Sequence, residues 1–399
     1  MKTMGILNED KERKIVEIGT PVGVIAGLIP STNPTSTAVY KALISLKSGN
    51  AIVFSPHPSA IGCISKTVEI LNRAAVANGA PDGLISCMEH PTIEGTNELM
   101  KHKDVALILA TGGSAMVKAA YSSGTPALGV GPGNVPAYIE RSADIKLAVK
   151  RIFASKTFDN GTICASEQSI VTEKIIEDKV KEEIERQGGY FLEGEKLEKI
   201  VEIMERPNGG MNPKIVGKSA QEIADMVGID IPEGTRVLLC EEKGIGKEYP
   251  FSKEKLTALL GFYVVEDWEE ACELCFKLLE NGGLGHSLSI HSKDENIIRE
   301  FGLKKPVSRI LVNTPSSQGA VGITTNLAPS LTLGCGAIGG SATSDNITPM
   351  NLINIRRMAY GVEDVDMESC VECESEDLRN IDIEAITKLV MEQIQKINE

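Results

Sequence analysis

The apolar run PVGVIAGLIP (residues 21–30) constrains the fold more than any other part of the chain. It does not alternate and is rich in Val and Ile, so it reads as a strand buried on both faces, the kind found in parallel sheets covered by helices. Turn chemistry and a helical stretch ending near Gly49 follow (STNPTSTAVYKALISLKSG), then a second buried strand, NAIVFSP (50–56). A long helix (60–79), the turn Pro81-Asp82-Gly83 and a strand, LISCM (84–88), come next. A third clear strand, DVALILAT (104–111), runs into Gly112-Gly113 and the helix SAMVKAAYSS. Strands alternating with helices predict a doubly wound α/β domain. Upstream, KIVEI (14–18) alternates polar and apolar residues as a half-buried strand does.

GPGNVPAYIE (131–140) opens a second segment. A helix near 144–157 leads to TFDNGTICASEQSIV, a charged helical region covers 173–205, and strand–helix alternation continues to about 340. With 399 residues the chain is long enough for two or more domains. No apolar run reaches the ~18–20 residues of a membrane helix, and MKTMGILNEDKERK lacks the apolar stretch of a secretory signal. A soluble, cytoplasmic protein is expected, with no membrane partner.

The net charge of −14 argues against nucleic acid as a partner. It is unevenly placed, because residues 363–399 hold 12 acidic and 3 basic residues and so carry −9 of it. Eight of the fifteen residues of EDVDMESCVECESED (363–377) are acidic, which predicts a disordered linker. Beyond it, Ile383, Ile386, Val390, Ile394 and Ile397 recur at three- and four-residue spacings with Leu389 beside them, and Asp382 stands where a cap would. This predicts a short amphipathic helix on a tether, packed on its own oligomer or docking on another protein.

Nine scattered cysteines do not suggest a disulfide framework. Neither Cys272-x-x-Cys275, in a helical stretch, nor Cys370-x-x-Cys373, in the acidic tail, has a second pair nearby, so no metal centre is expected. Cys164 is different. Small and turn-forming residues precede it in FDNGTIC, and a loop with exposed backbone donors suits a nucleophilic thiolate, although a structural thiol is the commoner use of such a cysteine. Asn33 follows the first buried strand, where α/β sites form. Its amide can donate to an oxyanion, or it can serve only as an Asn-Pro turn residue. The unit Thr111-Gly112-Gly113-Ser114 offers backbone N–H groups to a pyrophosphate, but without the G-x-G-x-x-G spacing. The glycine-rich turn from Gly129 to Asn134 serves either packing or close cofactor approach.

Taken in order, IPSTNPTSTAVYKALISLKSGNAIVFSPHP, LILATGGSAMVKAAYSSGTPALGVGPGNVP, KTFDNGTICASEQSIV, ILVNTPSSQGAVG and LAPSLTLGCGAIGGSATSDNITPMNLINIRR resemble the aldehyde dehydrogenase superfamily. Within it they resemble the CoA-acylating branch: the aldehyde dehydrogenase half of bifunctional aldehyde–alcohol dehydrogenases and the acylating enzymes of bacterial microcompartments. The resemblance covers roughly 14–361. It implies an α/β aldehyde dehydrogenase fold, with a Rossmann-like cofactor domain (1–130, residues 14–20 a possible oligomerisation strand) and an α/β catalytic domain (131–345). An oligomerisation strand (346–362), the acidic linker (363–380) and the amphipathic helix (381–399) would follow. Family members carry a longer stretch before the PVGV strand, with helices bracing the cofactor domain, so a fold without the usual N-terminal helical segment is expected.

The implied chemistry is coherent. Cys164 attacks an aldehyde, with Asn33 and the Cys164 backbone N–H stabilising the oxyanion; oxidation by a nicotinamide cofactor leaves a thioester, and coenzyme A takes the acyl group. Hydrolytic members carry a glutamate where this chain has Gly129, so water attack on the thioester should be slow. Ser55 and Pro56 stand where many members place a lysine, as contacts to the adenine end of NAD or CoA; NAD is favoured over NADP, whose 2′-phosphate wants a cation. Thr111, Gly112, Gly113 and Ser114 match the pyrophosphate region, Gly129 lies at the cofactor turn, and Glu254 matches the nicotinamide-ribose glutamate. His286 matches a histidine of the acylating relatives and either helps deprotonate the CoA thiol or is a packed core residue. The expected reaction is reversible oxidation of acetaldehyde or propionaldehyde to acyl-CoA by a homo-oligomer, dimer or tetramer. Alternatives are a CoA-acylating succinate-semialdehyde dehydrogenase or an inactive microcompartment cargo or assembly protein. The tail helix resembles encapsulation peptides that bind compartment shell or cargo proteins.

Overall fold

A computed structural model of the chain describes residues 1–206, 210–364 and 383–397. The greater part of the acidic linker, with Cys370, Cys373 and the Asp382 cap, lies outside the described residues. The chain divides into two compact units, Met1–Gly5 with Gly19–Ile355, and Ile6–Ile18 with Arg356–Glu399. Among the described residues no helix is long and apolar enough to cross a membrane.

In chain order the elements open with β1 (Gly5–Asp10), β2 (Ile15–Pro21) and β3 (Val24–Ile29), then α1 (Pro34–Lys47), β4 (Ala51–Pro56), α2 (Ile61–Ala77), β5 (Ile85–Cys87), α3 (Ile93–Lys101), β6 (Val105–Thr111), α4 (Ser114–Tyr121) and β7 (Ala127–Val130). Strands β3 to β7 form a parallel sheet in the order β5-β4-β3-β6-β7. The apolar run at 21–30 is thus the central strand, and burial on both faces is why it does not alternate. Ile25 and Ile29 face one core with Ala38, Ala42 and Ile64, while Ala26 and Leu28 face the other with Met100 and Ala120. The chain leaves β3 toward β4 on one side and returns through β6 on the other. A crevice opens at the carboxyl ends of strands where the order switches in this way.

The second sheet begins with β8 (Val135–Ile139), followed by α5 (Ile145–Lys156), β9 (Glu167–Glu173), α6 (Glu177–Arg186), β10 (Gly189–Phe191), α7 (Gly194–Met204) and α8 (Ala220–Val227). It continues through β11 (Val237–Glu241), β12 (Leu259–Val265), α9 (Trp268–Glu280), β13 (Gly285–His291), α10 (Glu295–Lys304), β14 (Val307–Val312) and α11 (Ser316–Ala320). Its seven parallel strands run β10-β11-β12-β9-β8-β13-β14. The charged region at 173–205 is not one helix. Gly188 adopts a left-handed φ of 94°, and a Cβ on Gly189 would come 2.4 Å from Ile184. The chain therefore turns there and lays down the edge strand β10, whose Phe191 meets Phe262 edge-on at 5.3 Å.

The remaining described strands form a sheet in the order β1-β2-β15, with β15 at Ile353–Ala359. Within the second unit, Arg357 Nε lies 3.1 Å from Glu17 Oε1, and the Tyr360 N–H donates to the Lys14 carbonyl. The tail helix α12 (Ile383–Ile397) is present, with Ile386, Leu389, Val390 and Met391 exposed. The architecture is mixed α/β with two parallel sheets, as the strand–helix alternation predicts.

Candidate active site

A cavity of about 610 Å³ lies at the carboxyl ends of β3, β4, β6 and β7 and reaches the loops that precede β9 and β12. Asn33, Ser55, Pro56, Thr111, Gly112, Gly113, Cys164 and Glu254 all line it. No lysine or arginine is among the described residues lining it.

Asn33 stands at the N-cap of α1, yet its side chain makes no capping hydrogen bond. Thr32 donates to its Oδ1 at 3.2 Å, and the residue is left on the cavity wall. Ser55, at the end of β4, is buried with its hydroxyl 2.7 Å from that of Thr96. Gly113 caps α4, and a Cβ built on it would meet nothing within 4 Å, so the helix start is open. Open N–H groups at a helix start suit a ligand's phosphates.

The Cys164 loop is held by unusual backbone. Asp159, Asn160 and Gly161 have φ of 49°, 47° and 74° in succession. The left-handed region costs a non-glycine residue roughly 1–2 kcal/mol. Side chains tie the turn down: Thr162 donates to Asp159 Oδ2 at 2.9 Å, and Asn160 Nδ2 donates to the Gly217 carbonyl at 3.0 Å. In the neighbouring loop of the same wall Leu256 is also left-handed, at 47°. Strained residues of this sort persist where the surroundings over-determine them, and they cluster at functional sites. Gly133 joins the two loops. Its N–H donates to Glu254 Oε1 at 2.9 Å, and a Cβ there would sit 2.2 Å from the Cys164 carbonyl oxygen.

A family model described as the aldehyde dehydrogenase family matches residues 2–251. The chain belongs to the aldehyde dehydrogenase family. It is 47% identical over 369 residues to the bifunctional aldehyde-alcohol dehydrogenase AdhE of Escherichia coli (strain K12), covering 91% of this chain and 41% of that one. The chain thus spans less than half the length of that relative. The crystal structure of an acetylating aldehyde dehydrogenase from Geobacillus thermoglucosidasius is 55% identical, with a TM-score of 0.90, over 91% of this chain and 80% of that one. A propionaldehyde dehydrogenase from the Clostridium phytofermentans fucose utilisation bacterial microcompartment is 30% identical, with a TM-score of 0.81, over 87% and 77%.

Electrostatics at the site are set by burial. The Cys164 thiol is pushed up to about 12, first by desolvation and then by the Glu254 carboxylate; Arg309 and its own backbone N–H pull it down. Burial lifts Glu254 to about 7 against the Gly133 N–H, Lys156 and Lys255. Arg309 is itself buried, and its guanidinium donates to the carbonyls of Gly334 at 2.6 Å and His286 at 3.1 Å. A guanidinium set among carbonyl oxygens keeps its charge uncompensated and favours nearby thiolate.

Three of the proposed residues stand apart from the cavity lining. Ser114 is the first residue of α4, behind Gly113. Gly129 lies inside β7, where a Cβ would come 2.8 Å from Val117 and 2.9 Å from Tyr121, so its close neighbours are packing partners rather than open cavity. His286 is fully buried in β13; burial and Arg309 lower it to about 3 and keep it neutral, and its ring packs toward Gly133. That placement is compatible with the packed-core alternative, and the ring lies beside the same Gly133 turn that abuts the Cys164 carbonyl. Sequence reasoning passed over Lys156, Glu167, Gln168 and Arg309. The one signal was Arg309, a charge inside the mostly apolar VSRILV; α5 and β9 are too rich in polar residues to single out the other three.

Proposed function

We propose that the chain catalyses the NAD-dependent, CoA-acylating oxidation of a short uncharged aldehyde, acetaldehyde or propionaldehyde, to acyl-CoA, reversibly. The observation that carries this reading is the cavity wall itself. A cysteine, an uncapped asparagine and a glutamate share it, while Gly129, where hydrolytic relatives carry their water-activating glutamate, has no room for a side chain.

A nicotinamide cofactor, when bound, would supply the two-electron acceptor. The open start of α4 with Gly112 and Gly113 fits its pyrophosphate, Ser55 and Pro56 its adenine end, and the Glu254 carboxylate a ribose hydroxyl. The lack of lysine and arginine on the wall supports NAD over NADP, because a 2′-phosphate wants a cation. The same lack weighs against succinate semialdehyde, whose carboxylate would need one.

Cys164 bonds to the aldehyde carbon as thiolate, with the Asn33 amide and the Cys164 N–H donating to the oxygen that becomes negative. The sulfur then holds the acyl group as a thioester. Without a base at Gly129, the thiol of CoA outcompetes water. Exposed Ile386, Leu389, Val390 and Met391 support a docking role for α12, on microcompartment shell or cargo proteins. The β1-β2-β15 sheet, with its mostly exposed outer strands, supports a homo-oligomer.

The test is NADH formation by the purified protein with acetaldehyde, with and without CoA. Strict CoA dependence is expected; acetate formation without CoA overturns the reading. Diffuse fluorescence from a fluorescent protein fused to residues 378–399, in cells making compartments, would count against targeting.

A further inference from the structure

Behind the wall that carries Cys164 and Glu254 lies a group of buried residues the reaction scheme does not use. Gln168, the second residue of β9, is fully buried and uses both ends of its amide. Its oxygen accepts the backbone N–H of Lys255 at 2.9 Å and Lys156 Nζ at 3.3 Å. Its nitrogen donates to the Ser166 carbonyl at 3.1 Å. One amide therefore joins the end of α5, the loop two residues beyond Cys164, and the peptide between Glu254 and the left-handed Leu256.

Lys156 has no exposed surface. Its hydrogen bond goes to the neutral amide rather than to a carboxylate. The carboxylates that act on it are those of Glu167 and Glu254. Glu167 is buried too; its Oε1 accepts the Ser316 N–H at 3.0 Å, and its Oε2 has no partner. Burial lowers Lys156 to about 7, while Glu167 and Glu254 pull it back up, so Lys156 and Glu254 hold their charges jointly near neutral pH.

We propose that Gln168 and Lys156 are positioning residues: the amide locks the Cys164 loop to the Glu254 loop, and the lysine held against that amide favours the carboxylate form of Glu254 as an acceptor facing the cavity. The proposal rests on the reading of Glu254 as a cofactor contact. The groups that face Glu254 are the Gly133 N–H, Lys156, Lys255 and the Cys164 thiol; those that face Lys156 are Gln168, Glu167, Glu254 and Lys255. Burial already lifts Glu254 to about 7, and Lys156 opposes that lift. Removing the lysine raises Glu254 further, so at pH 7 the carboxyl is mostly protonated and a poorer acceptor. The same protonation relieves Cys164 of a negative neighbour that raises its thiol.

The two effects have opposite signs, which a merely damaged site would not reproduce. In Lys156→Met, NADH binding followed by nucleotide fluorescence is expected to weaken about tenfold at pH 7 and to recover by pH 9 as Glu254 ionises. Alkylation of Cys164 by iodoacetamide without nucleotide is expected to quicken about twofold or more at pH 7. Lys156→Arg should restore both. Lys156→Gln replaces methionine if that variant does not fold. Gln168→Met should weaken NADH binding equally at every pH, because it loosens position rather than charge. Unchanged pH profiles in Lys156→Met, or equal losses at all pH with alkylation slowed, overturn the proposal. Failure of the wild-type protein itself to bind NADH would instead sink the cofactor reading, and the alkylation arm would then decide the positioning role.

Discussion

The two banks of the cavity are built from opposite ends of parallel strands, and they differ in kind. The bank at the carboxyl ends of β3, β4 and β6 presents Asn33, Ser55, Thr111, Gly112 and Gly113, all uncharged. The bank that leads into β9 and β12 presents Cys164 and Glu254, with Lys156, Glu167 and Lys255 buried behind them. Strand ends that feed helices offer free backbone donors and suit the phosphates of a ligand. Groups that must gain and lose protons stand on the other bank, where burial displaces their proton affinities and left-handed residues hold their loops. On the proposed reading, binding falls chiefly to the first bank and bond-making chiefly to the second. Substitutions on the first bank should appear in KM, and those on the second in kcat.

Cys164→Ala gives the largest expected effect. CoA-dependent NADH formation should fall by more than about 10³-fold, while NADH binding stays within about threefold, since a small side chain is lost from a wall that binds nucleotide elsewhere. Steady-state rates and a nucleotide titration check this; turnover within tenfold of wild type would remove the nucleophile from the second bank.

Two residues cross the division: Glu254, a proposed cofactor contact, stands on the second bank, and Asn33, assigned to the chemistry, stands on the first. Asn33→Ala should lower kcat about 10²-fold, the scale of losing one oxyanion donor. Thermal stability should barely change, because the side chain makes no capping hydrogen bond to α1. A change in KM alone, measured by aldehyde saturation curves, would return Asn33 to the binding bank.

The banks also differ in how legible they were. The first follows from sequence, because β3, β4 and β6 are unbroken apolar runs and the turns after them hold the candidates. Cys164 was marked by its turn-rich loop and then by motif resemblance, and Glu254 by resemblance alone. The support of the second bank was not. Lys156 ends α5, where a lysine ordinarily pairs with the helix dipole at the surface, and only tertiary packing reveals it as buried. Arg309 lies inside VSRILV in the same way. Lys41 is the first bank's counterpart: it sits on the buried face of α1, and its ammonium donates to the carbonyls of Leu28 and Leu109 at 2.7 and 2.8 Å. Elements passed over include β1, β7 and α3. β1 (GILNED) is too polar to show an apolar pattern, and α3 (IEGTNELMK) is a short, mostly polar helix announced mainly by its Thr92 cap.

Gly133→Ala tests the seam between Cys164 and Glu254. The added methyl would stand 2.2 Å from the Cys164 carbonyl oxygen, so the nucleophile loop or the Gly133 turn must move. A displacement of ångström size at a reacting group costs up to about 10²-fold. A loss of about 10- to 10²-fold in kcat is expected, with Cys164 alkylation slowed in parallel. Wild-type kcat would mean that the loop absorbs the methyl and that the seam does not control the sulfur.

Ser55→Ala should give the smallest effect and the cleanest test of the first bank. Its hydroxyl lies 2.7 Å from Thr96, whose own hydroxyl also donates to the Thr92 carbonyl at 2.8 Å. Removing Ser55 Oγ leaves Thr96 partnered, so on the proposed reading the binding loss is that of one net hydrogen bond from Ser55 Oγ to the adenine end of the cofactor, about 1 kcal/mol. At about 1.4 kcal/mol per tenfold, that corresponds to an approximately fivefold rise in KM for the nicotinamide cofactor, with kcat unchanged. Saturation curves in NAD at fixed CoA and aldehyde measure it. A fall in kcat with KM unmoved would show that the carboxyl end of β4 acts on the chemistry, and the separation of binding from bond-making between the two sheets would no longer hold.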